Sequence, residues 1–94
     1  MMTDIIVKQM PAFKKVYKKL YGQDKIKVNE AIKAIIHDPK IGQEKKGDLS
    51  DIFVYKFKIK YREILLAYEW DTKQRVLLAM GVHENFYRDL KKRR

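Results

Sequence analysis

Lys56, Lys58 and Lys60 recur at every second position in VYKFKIKYR (54–62), with Arg62 close behind. On a strand, successive side chains leave opposite faces, so this spacing gathers ammonium groups on one surface. Such a row can hold a phosphate backbone, and the planar guanidinium of Arg62 can fork onto one phosphate group. The same row also suits a solvated outer face whose lysines guard a sheet edge. A turn has to fall near residues 58–61, which moves Lys60 and Arg62 toward the rim. A second group is GVHENFYRDL (81–90), where His83 and Tyr87 are four apart and share a face if the segment is helical. Imidazole exchanges protons near neutral pH, and a phenol can donate a proton or stack on a base. Arg88 adds a cation for nucleic-acid contact. Spacing alone equally allows His83 or Asn85 to start the helix, with Phe86 and Tyr87 as core anchors.

Other chemistries lack their residues. There is no cysteine, so disulfides and thiolate nucleophiles are excluded, and a reduced cytoplasmic setting is compatible. No HExxH, no His/Cys metal spacing and no glycine-rich phosphate cradle occurs, and the acidic residues are scattered. No metal and no cofactor is therefore expected. Lys and Arg total 22 against 12 Asp and Glu, a formal net charge of +10 that favours a polyanionic partner. Simple solubility is the competing explanation. No apolar run approaches the ~18 residues of a membrane span, and the N-terminus lacks a signal-peptide core; no membrane partner is expected.

The elements that must position these residues follow from periodicity. TDIIVK (3–8) reads as a strand. Pro11 opens a helix with Phe13, Val16, Tyr17, Leu20 and Tyr21 on one face and lysines on the other, stopped by Gly22. Asp24 is expected to cap a second helix reaching about Ile36, with Val28, Ala31, Ile32, Ile35 and Ile36 as its buried stripe and HDPK (37–40) closing it. The short connector predicts an antiparallel helical hairpin. Residues 39–50 read as loop. IFVYKFKI, REILLAYEW and RVLLAM read as three strands, the last two joined by a turn at DTK (71–73). Phe53, Tyr55, Phe57 and Ile59 should face the helices, and Ile52, Val54, Lys56, Lys58 and Lys60 share the other parity, which the turn near 58–61 interrupts after Lys58. Ile64 to Ala67 is apolar enough for a central strand covered on both faces. Gly81 ends the sheet, and HENFYRDLKKRR forms a short basic helix. With 46% hydrophobic residues in 94, the expectation is a single α+β domain over residues 1–94. Its parts are an N-terminal strand, a helical hairpin, a three-stranded antiparallel meander and a short C-terminal helix.

The stretch GDLSDIFVYKFKIKYREILLAYEW…VLLAMGVHENFYRDLKK resembles the C-terminal half of the RelE/ParE superfamily of toxins from bacterial toxin–antitoxin modules. The element order is similar as well. In the RelE branch, the resemblance implies a ribosome-dependent endoribonuclease that cleaves mRNA without a metal, partnered by a cognate antitoxin. It carries Lys56 and Lys58 onto the paired basic positions of one strand, Arg62 onto the arginine of the next, and Tyr87 onto the C-terminal tyrosine. His83 lies where relatives carry His or Arg. The resemblance implies His83 as an acid/base partner, Lys56, Lys58 and Arg62 as phosphoryl-oxygen contacts, and Tyr87 as a base-stacking residue. Relatives often have a glycine before the "YR" pair, where this chain has KIKY. The ParE branch shares the fold but binds DNA gyrase, and a catalytically silent nucleic-acid-binding member is the third option.

Overall fold

The computed structural model describes residues 4–82, 86–88 and 90. Strand β1 (Ile6–Gln9) leads into α1 (Pro11–Lys18) and α2 (Gly22–His37). A two-residue strand β2 (Gln43–Glu44) and a 3₁₀ turn (Gly47–Leu49) precede the long strands β3 (Phe53–Ile59), β4 (Arg62–Trp70) and β5 (Gln74–Gly81). The sheet order is β1-β5-β4-β3-β2. β3, β4 and β5 form an antiparallel meander, β2 adds antiparallel to the start of β3, and β1 runs parallel to β5. The α+β expectation holds, with β1 starting later than the sequence suggests and β2 emerging inside the expected loop.

Local chemistry explains the helix ends. Pro11 sits in the first turn of α1, where its missing N–H needs no partner. At the other end, the N–H groups of Lys19 and Leu20 donate to Val16 and Tyr17 carbonyls three residues back, both at 3.1 Å. That tightening ends α1 before Gly22, which is the first residue of α2 and not the stop expected for α1. Tyr21 lies beyond α1, exposed and not on its apolar face, and takes the extended N-cap conformation of α2, so Asp24 lies inside the first turn and not at the cap. There its carboxylate still faces the positive end of the helix dipole. Tyr17 ties the helices together, its hydroxyl donating to Asn29 Oδ1 at 2.8 Å.

The C-terminus of α2 is closed by Arg75, which is 5% exposed. Its Nε donates to Ile35 O at 3.1 Å and a terminal nitrogen to Ile36 O at 2.9 Å, satisfying end carbonyls that the helix leaves open. The other terminal nitrogen donates to Asp71 O at 2.7 Å, binding the β4–β5 turn to the helix. In that turn, Asp71 Oδ1 accepts from the Lys73 and Gln74 amides at 2.7 and 2.9 Å. These bonds hold the Asp71 carboxyl below its ordinary pKa.

Both sheet faces are covered. Phe13, Val28 and Ile35 pack on Ile59, Ile64, Leu66, Tyr68, Leu77 and Met80. On the opposite face, Val54, Leu65, Ala67 and Ala79 are covered by Leu49, Ile52, Phe86 and Leu90. Every residue from Ile64 to Tyr68 is buried, as expected of a central strand. Leu77 and Met80 reach the same face although three apart, because the β4–β5 register shifts between Ala67 and Tyr68. A bulge of this kind inserts one residue and resets the alternation.

Candidate nucleic-acid interface

Register decides which cations meet. Lys56 faces Leu65 across the β3–β4 ladder, and Lys58 faces Glu63. Both lysines are exposed, and as alternate residues they stand ~7 Å apart along one edge of the face. Phe53, Tyr55, Phe57 and Ile59 take the helix side, as their parity predicts. Tyr55 and Phe57 stack there with ring centroids 6.0 Å apart.

Arg62 does not join Lys56 and Lys58. Ile59 pairs with Arg62 across a turn made only of Lys60 and Tyr61. Facing residues of an antiparallel pair share a side, so Arg62 follows Ile59 to the helix side while Glu63 takes the place opposite Lys58. Lys60 leaves the row too, because it occupies the turn with φ of 58°. The grouping of Lys56, Lys58, Lys60 and Arg62 on one surface is thus divided by the brevity of the hairpin. Lys60 and Arg62 instead line a cleft of about 760 Å³ between α1 and the hairpin end of the sheet. Lys15 of α1 and Lys19 at its C-cap line it as well, over an apolar floor that includes Val16, Ile64 and Met80.

Residues 86–88 and 90 are helical and lie over the lysine face. A Cβ on Gly81 would stand 3.6 Å from the Phe86 ring, and Gly81 and Lys56 are the two register neighbours of Leu65. Lys56 and Gly81 are therefore two strand spacings apart, ~10 Å. Tyr87 is half-buried and meets Phe86 edge to face at 5.5 Å. Lys45 Nζ sits 4.9 Å from the Tyr87 ring centroid, a cation–π contact. Arg88 is exposed on the same segment. His83 lies outside the described residues.

Lys45 escaped sequence reasoning because its loop has no period. Its position is set by β2: the Lys45 amide donates to Ile52 O at 2.8 Å, and the loop before β2 is pinned by Tyr68. The Tyr68 hydroxyl donates to Pro39 O at 2.6 Å and accepts the Gly42 amide at 3.0 Å. Only glycine permits that approach, since a Cβ at Gly42 would lie 2.7 Å from the hydroxyl oxygen. A run of Lys45 and Lys46 beside Gly47 was the sole hint in the sequence. Among the described residues, no helix is long and apolar enough to cross a membrane.

Residues 7–91 match the family model for the ParE-like toxin of type II bacterial toxin–antitoxin systems. No curated protein sequence matches the chain. Among solved structures, the chain is similar to a double arginine-to-alanine variant of the Escherichia coli RelE toxin in the free state. That match has a TM-score of 0.71 and 19% identity, covering 97% of this chain and 98% of the other. The toxin–antitoxin complex RelBE2 from Mycobacterium tuberculosis matches with a TM-score of 0.71 and 18% identity, over 86% of this chain and 100% of the other. The YoeB dimer from Staphylococcus aureus gives a TM-score of 0.66 and 19% identity, over 86% and 99% of the two chains. Likeness at these identities is likeness of fold.

Proposed function

The chain belongs to the ParE-like toxins of type II bacterial toxin–antitoxin systems, and from that premise we propose that it is an endoribonuclease cutting mRNA on the ribosome. The observation that carries this reading is the exposed Lys56 and Lys58 pair on the sheet face that also bears Tyr87. In this mechanism the substrate supplies its own nucleophile. Its 2′-hydroxyl attacks the adjacent phosphorus, a base takes the hydroxyl proton, and an acid protonates the departing 5′-oxygen. The products are a 2′,3′-cyclic phosphate and a 5′-hydroxyl. Lys56 and Lys58 hold the charge that grows on the non-bridging oxygens. Tyr87 orients a neighbouring base, Arg88 contributes a phosphate contact, and His83 is one of the two proton carriers. No bound metal is required for any of these steps. A cognate antitoxin is the expected protein partner, since chains of this fold occur in toxin–antitoxin complexes.

Purified protein added to translating ribosomes should cut mRNA, with cleavage mapped by primer extension and a 2′,3′-cyclic phosphate on the upstream fragment. Lys56→Ala with Lys58→Ala should slow cutting by about 10²-fold or more. A second reading, in which the chain binds DNA gyrase without RNA chemistry, is favoured by the departure of Arg62 from the lysine face. Intact mRNA together with blocked supercoiling would establish that reading and dismiss the first.

A further inference from the structure

The cleavage face leaves Lys60, Tyr61 and Arg62 unused, and Tyr61 at the tip between them is 98% exposed. We infer that this hairpin tip is a second RNA-contact site, in which Tyr61 stacks on an unpaired base while the cations of the adjoining cleft hold the flanking phosphates. The inference rests on the RNA-directed reading above.

Three observations support it. The tip is a two-residue turn closed by the Ile59–Arg62 pair, so the ring is presented on a short, well-defined support and not on a long loop. Lys15, Lys19, Lys60 and Arg62 line the cleft beside it, against a single carboxylate from Asp24. That balance selects an anion. Finally, the tip is where the two sheet faces meet: Lys58 is on one side of Ile59, and Lys60 and Arg62 lead to the other. A strand leaving the Lys56 and Lys58 row can therefore cross the tip and continue toward α1. An acidic peptide would use the cleft cations and the apolar floor but would leave the Tyr61 ring in water. A single nucleic-acid strand uses both, since each base offers a face for stacking and each linkage a charge.

The test uses a short 2′-O-methyl RNA, which lacks the nucleophile and stays intact, with binding to the full-length protein followed by fluorescence anisotropy. Tyr61→Ala should weaken binding about tenfold or more, and Tyr61→Trp should preserve it. Lys19→Ala and Arg62→Ala should each reduce the log–log salt slope by ~0.7. Circular dichroism checks that each variant is folded, which exposure of these side chains favours. Unchanged binding by Tyr61→Ala, or equal loss with Tyr61→Trp, overturns the inference. Because the probe cannot be cut, the result is separate from the cleavage reading. Loss of mRNA cutting in the Lys56 and Lys58 variants with a silent Tyr61 removes the second site alone. Tyr61-dependent binding without any cutting keeps the second site and removes the nuclease.

Discussion

Glu63 and Tyr68 show how single residues on adjoining faces of β4 act on the site in different ways. Glu63 faces Lys58 in register, so its carboxylate competes with any phosphate for that ammonium, whereas Lys56 faces apolar Leu65. Glu63→Gln should tighten binding of uncleavable RNA by a few-fold, read by anisotropy, because a cross-strand opposite charge is worth about 0.2–1 kcal/mol. Tyr68 acts from the other side, fully buried, with its hydroxyl bonded to Pro39 and Gly42. Tyr68→Phe strands both backbone groups and should cost about 1–3 kcal/mol in urea unfolding. Burial raises the Tyr68 pKa above its ordinary value, outweighing the Gly42 amide that lowers it. The folded chain thus keeps this proton longer than the unfolded chain does. The stabilisation is complete below about pH 10 and declines as pH rises through the elevated folded value. Stability measured from neutral pH upward should accordingly fall less steeply in Tyr68→Phe than in the wild type.

Among elements, the β3–β4 hairpin has the largest consequence for chemistry. Its turn puts Lys60 at φ of 58°, a backbone region that glycine enters without steric penalty and other residues do not. Lys60→Gly should therefore stabilise the fold by about 1 kcal/mol, or roughly 5 °C in Tm, by calorimetry. The same variant should weaken RNA binding through loss of one cation. Opposite signs for stability and binding would show that a lysine is tolerated here for its charge. At the far end of the sheet, Arg75 ties α2 to the β4–β5 turn, and Trp70 lies against its guanidinium at 5.8 Å. These contacts hold the helix layer against the sheet that carries the lysine face.

At the scale of the whole molecule, the sheet separates two groups of cations within a chain of net charge +10. Lys56 and Lys58 lie on one side, and Lys15, Lys19, Lys60 and Arg62 line the cleft on the other. Affinity for single-stranded RNA should fall linearly on a log–log plot against salt, by about 0.7 per neutralised phosphate. A flat response between low and physiological salt would contradict phosphate-directed binding on either surface.

Much of this arrangement is local and so legible from residue order. Alternation along 53–59 assigns Lys56 and Lys58 to one face and the aromatic residues to the other. The unbroken apolar run after Glu63 marks a strand covered on both sides, and Asp71 supplies the turn before β5. Each depends on the period of one element or the hydrogen bonding of a few adjacent residues. The side of the sheet taken by Arg62 has a different origin. It depends on how many residues close the hairpin, and a change of one residue there reverses every side chain that follows. The placement of the C-terminal helical segment over the lysine face, and of Lys45 over Tyr87, depends on contacts between segments distant in the chain. Those contacts form only where packing and hydrogen bonding compensate the entropy of bringing such segments together. The residue types able to bind an anion were thus determined by the chain alone, and their division between two surfaces by the folded structure.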